Sequence, residues 1–527
     1  MAGLLKLTQA VFICKILSVV WFEGCSASVL SSSVGASVQT SSGLIIGHAG
    51  PQFPDTSEYL GIPFASPPID KLRFAAPVAF ESKQTVLANA YGPNCLSNNE
   101  TFPLYPGSTP QYSRVMSGFL QQQGPQSEDC LYLNIWTKPH PSKLKPVLLW
   151  IHGGRFVITG AQCPYYDGQV LVSEHDILLV TINYRLNIFG FSGAPTLPQN
   201  VGLLDQRLAI EWVHRNIAGF GGDPDRITIF GSSAGGTSVD LYSYAWAHNP
   251  LVSGLISHSG TALSYIPNTP QQSADAFYNI SASLGCGTRS EKEHQVLECM
   301  RQKSSEEIFT ASSNALMLDT ATIPEPIFHP VVDEMTVFSD YKKRSAEGRF
   351  ARLPYLVTSN DNEAGFYRLA AYASTIAVSD FSWDQFNLAA FTCPSGQAVR
   401  DRVAHNVPAW QARYFGDWDN LRLYPGSGAY HGSDLPMVFG TAEKISMLPD
   451  SEAERKTSHY MASAWVAFAS DPKNGLKKFG WPRYDPHEKT LVGLAYRNST
   501  VEFLEPRQFE GGCTAFKEDI ILGGGAI

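Results

Sequence analysis

The sequence predicts an α/β protein with a mostly parallel sheet covered on both faces by helices. Three observations lead there. Short, unbroken apolar runs recur at residues 147–151, 177–182, 227–230, 255–257 and 354–358. Unbroken rather than alternating hydrophobicity marks strands buried on both faces. Helix-spaced segments stand between them, as in residues 205–217, where Leu208, Trp212 and Val213 share one face. Finally, 527 residues with 44% hydrophobic and 17% charged content can bury a large core. Residues 271–350 and 378–412 read mostly as helical insertions beside or above the sheet.

From the N-terminus, residues 1–28 read as a secretory signal. Lys6 supplies the positive start, apolar residues follow over 10–22 with Lys15 interrupting them, and Ser26, Ala27 and Ser28 are small. Residues 29–527 read as a single domain, with no internal repeat and no low-complexity linker after about residue 42. Asn99, Asn279 and Asn498 each open an Asn-x-Ser/Thr triplet, as glycosylation on a secretory route would need. Loss of the signal removes Cys14 and Cys25. That leaves Cys95, Cys130, Cys163, Cys286, Cys299, Cys393 and Cys513, an odd set that predicts disulfides and at least one leftover thiol. No Cys or His spacing suggests a metal site. A net charge of −9 without a basic run argues against nucleic acid and anionic membranes as partners. No apolar run has transmembrane length.

The strand at 147–151 runs into His152-Gly153-Gly154-Arg155-Phe156. Glycines immediately after a strand let backbone N–H groups approach a substrate carbonyl. The strand at 227–230 runs into Gly231-Ser232-Ser233-Ala234-Gly235-Gly236, and helix-compatible sequence follows from Ala234. Strand, sharp turn and helix with Ser233 between glycines is a nucleophile elbow. A serine hydroxyl needs a base, and the base needs an orienting acid. On this kind of sheet the order is Ser, acid, His. Glu363 follows the strand ending at Thr358 and is the best placed acid, with Asp361 and Asp333 as alternatives. His431 sits in the glycine-rich loop 426–432 and is the best placed base, with His487 next. His405 and His459 fall in helical stretches.

Between Cys95 and Cys130 there is no Trp. That argues against cation–π recognition of a quaternary ammonium substrate. Tyr112, Val115, Met116, Phe119 and Leu120 there form an apolar stripe at helical spacing. Two readings fit: a lid over an acyl pocket, or a face packed against the body.

At this point the chain resembles the type-B carboxylesterase/lipase family, α/β-hydrolases that include cholinesterases and fungal lipases. The resemblance runs through Leu60-Gly61-Ile62-Pro63-Phe64-Ala65, Ser127-Glu128-Asp129-Cys130-Leu131-Tyr132-Leu133-Asn134 and Asn200-Val201-Gly202-Leu203-Leu204-Asp205-Gln206-Arg207. It continues through Phe220-Gly221-Gly222-Asp223-Pro224, His431-Gly432-Ser433-Asp434-Leu435-Pro436 and Trp481-Pro482-Arg483-Tyr484, covering roughly residues 40 to 500. It implies Ser233 as nucleophile, Glu363 as acid and His431 as base. The oxyanion donors would be the N–H groups of Gly154, Arg155 and Ala234. It further implies Cys95–Cys130 and Cys286–Cys299 disulfides, a hydrogen bond from Ser259 to the acid, and no cofactor or metal. Two residues depart from the family pattern. Arg155 replaces a usual Gly, and Ser232 stands where many relatives carry Glu. The expected activity is a secreted serine carboxylesterase working through an acyl-enzyme on a small-molecule or lipid ester. The alternatives are a lidded lipase, an acyl transferase and a non-catalytic binding relative.

Overall fold

The computed structural model describes residues 33–121, 123–139, 143–313, 316–317 and 325–513. The expected signal segment, residues 1–28, lies outside the described residues. The central sheet has eleven strands. In chain order they are β1 (His48–Ala49), β2 (Ser57–Pro63), β3 (Tyr132–Thr137), β4 (Lys145–Ile151), β5 (Leu178–Ile182), β6 (Gly222–Ser232), β7 (Gly254–His258), β8 (Tyr355–Asn360), β9 (Ala409–Tyr414), β10 (Leu491–Leu494) and β11 (Val501–Leu504). Their spatial order is β11-β10-β9-β8-β7-β6-β4-β5-β3-β2-β1. The run from β5 to β10 is parallel, and antiparallel strands finish both edges. This is the α/β-hydrolase fold.

The helices that position the site are α1 (Tyr112–Leu120), α2 (Gln169–Glu174), α3 (Val201–Asn216), α4 (Ala234–Ala245), α5 (Ala364–Ala373) and α6 (Glu452–Ser470). The period of two along each strand explains why the apolar runs are unbroken. In β4, Leu148 and Trp150 face one apolar cluster, which includes Trp465 and Phe468 of α6. Val147, Leu149 and Ile151 face the other, with Ile210 and Val213 of α3 and Val239 of α4. Each fully buried side chain of this size contributes roughly 1.5–3 kcal/mol.

The first helical insertion is borne out in part: Pro270–Ser283, Glu293–Gln302, Ser305–Ser313 and Tyr341–Ala346 are helices, while Leu316–Met317 pairs with Glu325–Pro326 as strands and residues 327–340 hold no helix. The second needs a correction. Asp380–Phe386 and Cys393–Ala404 are helices, but residues 409–412 belong to strand β9. Gln411 and Arg413 disguise that strand as polar. Both are buried and find distant partners: Gln411 donates to Glu510 at 3.1 Å, and Arg413 pairs with Asp361 at 3.0 Å.

Three disulfides staple the chain: Cys95–Cys130, Cys286–Cys299 and Cys393–Cys513. The first two match the family expectation. The third closes a sequence separation of 120 residues, which by chain entropy is worth roughly 4–5 kcal/mol. Among the described residues Cys163 is the free thiol, buried in the core, where burial pushes it up to about 12.

Candidate active site

Ser233 caps the N-terminus of α4 with φ 59° and ψ −126°, a backbone region unfavourable for a residue with a Cβ. Its N–H donates to His258 O at the end of β7, at 2.9 Å. Gly235 makes the turn possible, because a Cβ there would lie 2.1 Å from Ile151 O. Helix α4 therefore starts directly against the end of β4. Ala234, as its first residue, has an N–H without an intrahelical acceptor.

The loop after β4 supplies the other predicted donors. Gly154 has φ +98°, and Arg155 and Phe156 follow at 54° and 61°. Val157 and Ile158 N–H both close onto Gly154 O at 2.9 Å. Tyr184 donates to His152 O at 2.8 Å, and its ring stacks on the His152 imidazole at 4.5 Å. These contacts fix the loop at Gly154 and His152.

Glu363, on the turn between β8 and α5, is fully buried. One carboxylate oxygen accepts from His431 Nδ1 at 2.7 Å. The other accepts from Ser259 Oγ at 2.7 Å and from Asn360 N–H at 2.7 Å. The His431 ring lies among Phe366, Tyr367 and Phe391, with centroids 5.2–6.1 Å away. Its Nε2 is buried and makes no hydrogen bond among the described residues. In free enzymes this contact to the nucleophile is often long and tightens when substrate binds.

Ser233 and His431 line one cavity with Gly153, Gly154, Arg155, Ser232 and aromatic walls from Phe102, Phe119, Tyr166, Phe366 and Tyr367. The residues picked from sequence for catalysis thus converge. The alternatives are used elsewhere. Asp361 pairs with Arg413, and Asp333 accepts N–H groups of its own loop, residues 335–337. His487 is solvent-exposed, and His405 Nε2 bonds Ala346 O at 2.8 Å.

Helix α1 settles the stripe. Tyr112, Val115, Met116 and Leu120 are buried in the main core, and of the five only Phe119 reaches the cavity. Arg155 also lines the cavity, 3.9 Å from Glu100 on the same wall. Sequence reading missed Glu100 and Phe102, from one loop, and Phe366 and Tyr367, from α5. It also missed a second buried imidazole–carboxylate pair, His258 with Asp434. Away from the cavity, Glu174, His175 and His459 bring ligand-type atoms within 4.8 Å of one another. That cluster sits on the surface, and Glu174 and His459 are exposed.

A serine on a strained elbow that shares a cavity with a carboxylate-oriented imidazole is the arrangement of a serine hydrolase of the α/β-hydrolase class. The sequence pattern of the carboxylesterase family matches residues 35–387 and 379–510. The chain is 34% identical over 506 residues to a chlorogenic acid esterase of Aspergillus niger, covering 91% of this chain and 94% of that protein. It is 32% identical over 506 residues to secreted lipase 5 of Gibberella zeae, covering 90% and 93%. It is 30% identical over 476 residues to a para-nitrobenzyl esterase of Bacillus subtilis, covering 83% and 90%. The chain belongs to the carboxylesterase family and is a serine hydrolase of carboxylic esters.

Proposed function

We propose that Ser233, Glu363 and His431 are the catalytic triad of a secreted carboxylesterase. The observation that carries this reading is the 2.7 Å bond from His431 Nδ1 to Glu363, which leaves a buried, unpartnered Nε2 in the cavity of Ser233. Nδ1–H is held by the carboxylate, so Nε2 is free to take the Ser233 proton. Ser233 Oγ bonds to the ester carbonyl carbon, and the carbonyl oxygen becomes an oxyanion held by the N–H groups of Gly154, Arg155 and Ala234. The intermediate collapses, the C–O bond to the alcohol breaks, and His431 returns the proton to the leaving alkoxide. Water then repeats the sequence on the acyl-enzyme, releasing the acid and restoring Ser233. No step requires a metal or cofactor.

The substrate reading rests on the walls. Phe102, Phe119, Phe366 and Tyr367 fit an apolar or aromatic acyl group. The Aspergillus relative named for chlorogenic acid makes that ester one to test. A lipase reading finds less support, since four residues of the α1 stripe are buried. Secretion is supported by three disulfides and by solvent exposure of Asn99, Asn279 and Asn498, the proposed glycosylation sites. Residues 29–527 form the single domain of this reading. Among the described residues, no helix is long and apolar enough to cross a membrane.

The test is a panel of chromogenic esters of increasing chain length, plus chlorogenic acid, with wild type and Ser233→Ala. Wild type is expected to cleave several, and the variant none above background. No activity on any ester, or equal activity in the variant, overturns the proposal. A jump in rate above the solubility limit of a long-chain ester would move the assignment to a lipase.

A further inference from the structure

His258 closes β7 and is fully buried. Its Nδ1 lies 2.7 Å from Asp434 Oδ2, and its Nε2 receives the indole N–H of Trp465, on α6, at 2.9 Å. An indole N–H only donates, so His258 Nε2 carries no proton and Nδ1–H donates to the carboxylate. The tautomer is fixed by its neighbours. Asp434, also buried, accepts on its other oxygen from the Asn360 side chain at 3.1 Å. Burial alone would raise its carboxyl, but the hydrogen bonds from His258 and Asn360 help hold it below the usual aspartate value.

The connections of this pair lead to the triad from three sides. Asp434 is three residues past His431 on the same turn. Asn360 also donates from its side chain to Tyr430 O at 2.8 Å, and from its backbone N–H to Glu363 at 2.7 Å. His258 O receives the Ser233 N–H at 2.9 Å, and the adjacent Ser259 donates to Glu363. One end of the His258–Asp434 bond thus holds the elbow and the other holds the base-bearing loop. The two pairs cross. His431 reaches from the loop to the acid after β8, and Asp434 reaches from the same loop to the end of β7.

We propose that His258 and Asp434 are positioning residues: their bond sets the loop carrying His431 against the elbow carrying Ser233. Neither lines the cavity, so the pair acts on geometry rather than on substrate binding. Misplacing reacting groups by about 1 Å can cost roughly 10²-fold in rate. The inference rests on the triad assignment above.

The His258→Asn and His258→Gln variants separate the two bonds of the imidazole. An Asn amide can reproduce the Nδ1–H donor to Asp434 and abandons Trp465. A Gln amide oxygen can reproduce the acceptor for Trp465 and abandons Asp434. Active sites are first counted with a chromogenic phosphonate that labels the nucleophilic serine, and kcat and KM are then measured per labelled site on a short-chain ester. His258→Gln is expected to lose roughly 10- to 100-fold in kcat with KM within about 3-fold of wild type, and His258→Asn to stay within about 3-fold in kcat. Asp434→Asn keeps shape and loses charge, and serves if the His258 variants do not fold. It too is expected to lower kcat at unchanged KM. Wild-type kcat per labelled site in His258→Gln overturns the inference. So do equal losses in the Asn and Gln variants, or effects confined to KM. Failure of wild type on every ester would instead overturn the triad assignment.

Discussion

His431 with Glu363 and His258 with Asp434 are two versions of one arrangement. In each, a buried imidazole places Nδ1 2.7 Å from a buried carboxylate. In each, the carboxylate takes further donors, Ser259 and the Asn360 backbone for Glu363, and the Asn360 side chain for Asp434. They differ on the far side of the ring. His431 Nε2 has no partner and its ring lines the cavity of Ser233, whereas His258 Nε2 is closed off by Trp465. An imidazole–carboxylate pair is therefore not in itself a catalytic device. In the roles proposed for the two pairs the second ring nitrogen decides: left open in His431, it can move a proton; occupied in His258, it leaves the pair as a strut.

The largest expected effect tests the open pair. Glu363→Gln keeps the volume of the side chain but weakens control of the His431 tautomer. Loss of the equivalent orienting charge elsewhere costs about 10⁴ in kcat. A fall of roughly 10³- to 10⁴-fold is expected, with KM little changed, read from steady-state kinetics on a short-chain ester. A fall of less than about 10-fold would mean that Glu363 orients nothing, and Asp434 would then need to be reconsidered as the acid.

How much of this could be read from the chain depends on how local each signal is. Ser233 and the Gly153–Gly154 loop announce themselves because tight turns after strands require glycine within a few residues. Glu363 and His431 were reachable through chain order and loop placement. His258 was not: a single His at a strand end looks like core filling, and its carboxylate is 176 residues away. The same distance effect hid β9, whose Gln411 and Arg413 bond to Glu510 and Asp361. It also hid the pairing of Cys393 with Cys513, which no short spacing encodes. The cavity walls were illegible for a related reason. Phe102, Phe119 and Phe366 meet only after three separate segments fold together.

A third imidazole extends the comparison. His152 is buried, and its Nδ1 meets Thr159 Oγ1 at 3.0 Å and Gly153 O at 2.9 Å, with no carboxylate among these contacts. Burial pushes it down to about 4, against a small opposing effect of the Gly153 carbonyl. The sign follows directly. The unfolded chain takes up a proton near pH 6.5, and the folded protein does so only near pH 4. The stability this residue contributes is present above about pH 6.5 and is lost as the pH falls toward 4, by up to roughly 3 kcal/mol. His329, pushed to about 3 by burial and then by the Arg155 charge, adds in the same direction. The urea midpoint is expected to drop between pH 7 and pH 4.5, and to drop less in His152→Asn. An equal pH slope in that variant would remove His152 from the account.

The smallest expected effect on turnover comes from opening the closed pair. Trp465→Phe removes the indole N–H from His258 Nε2 and leaves that nitrogen buried without a donor. The cost of an unsatisfied buried acceptor is roughly 1–3 kcal/mol, to be read as a lower urea midpoint at unchanged pH. The bond from His258 to Asp434 stays, so kcat is expected to fall by less than about 3-fold. The variant gives His258 the same free nitrogen as His431, yet His258 does not line the cavity of Ser233 and the adjacent Ser259 hydroxyl is bonded to Glu363, so no second reactive site should appear. Phosphonate labelling should remain confined to Ser233. A Trp465→Phe enzyme with a large loss of kcat would show that the strut works through its indole end, because a rigid Nδ1–Asp434 bond would then not be enough to hold the loop.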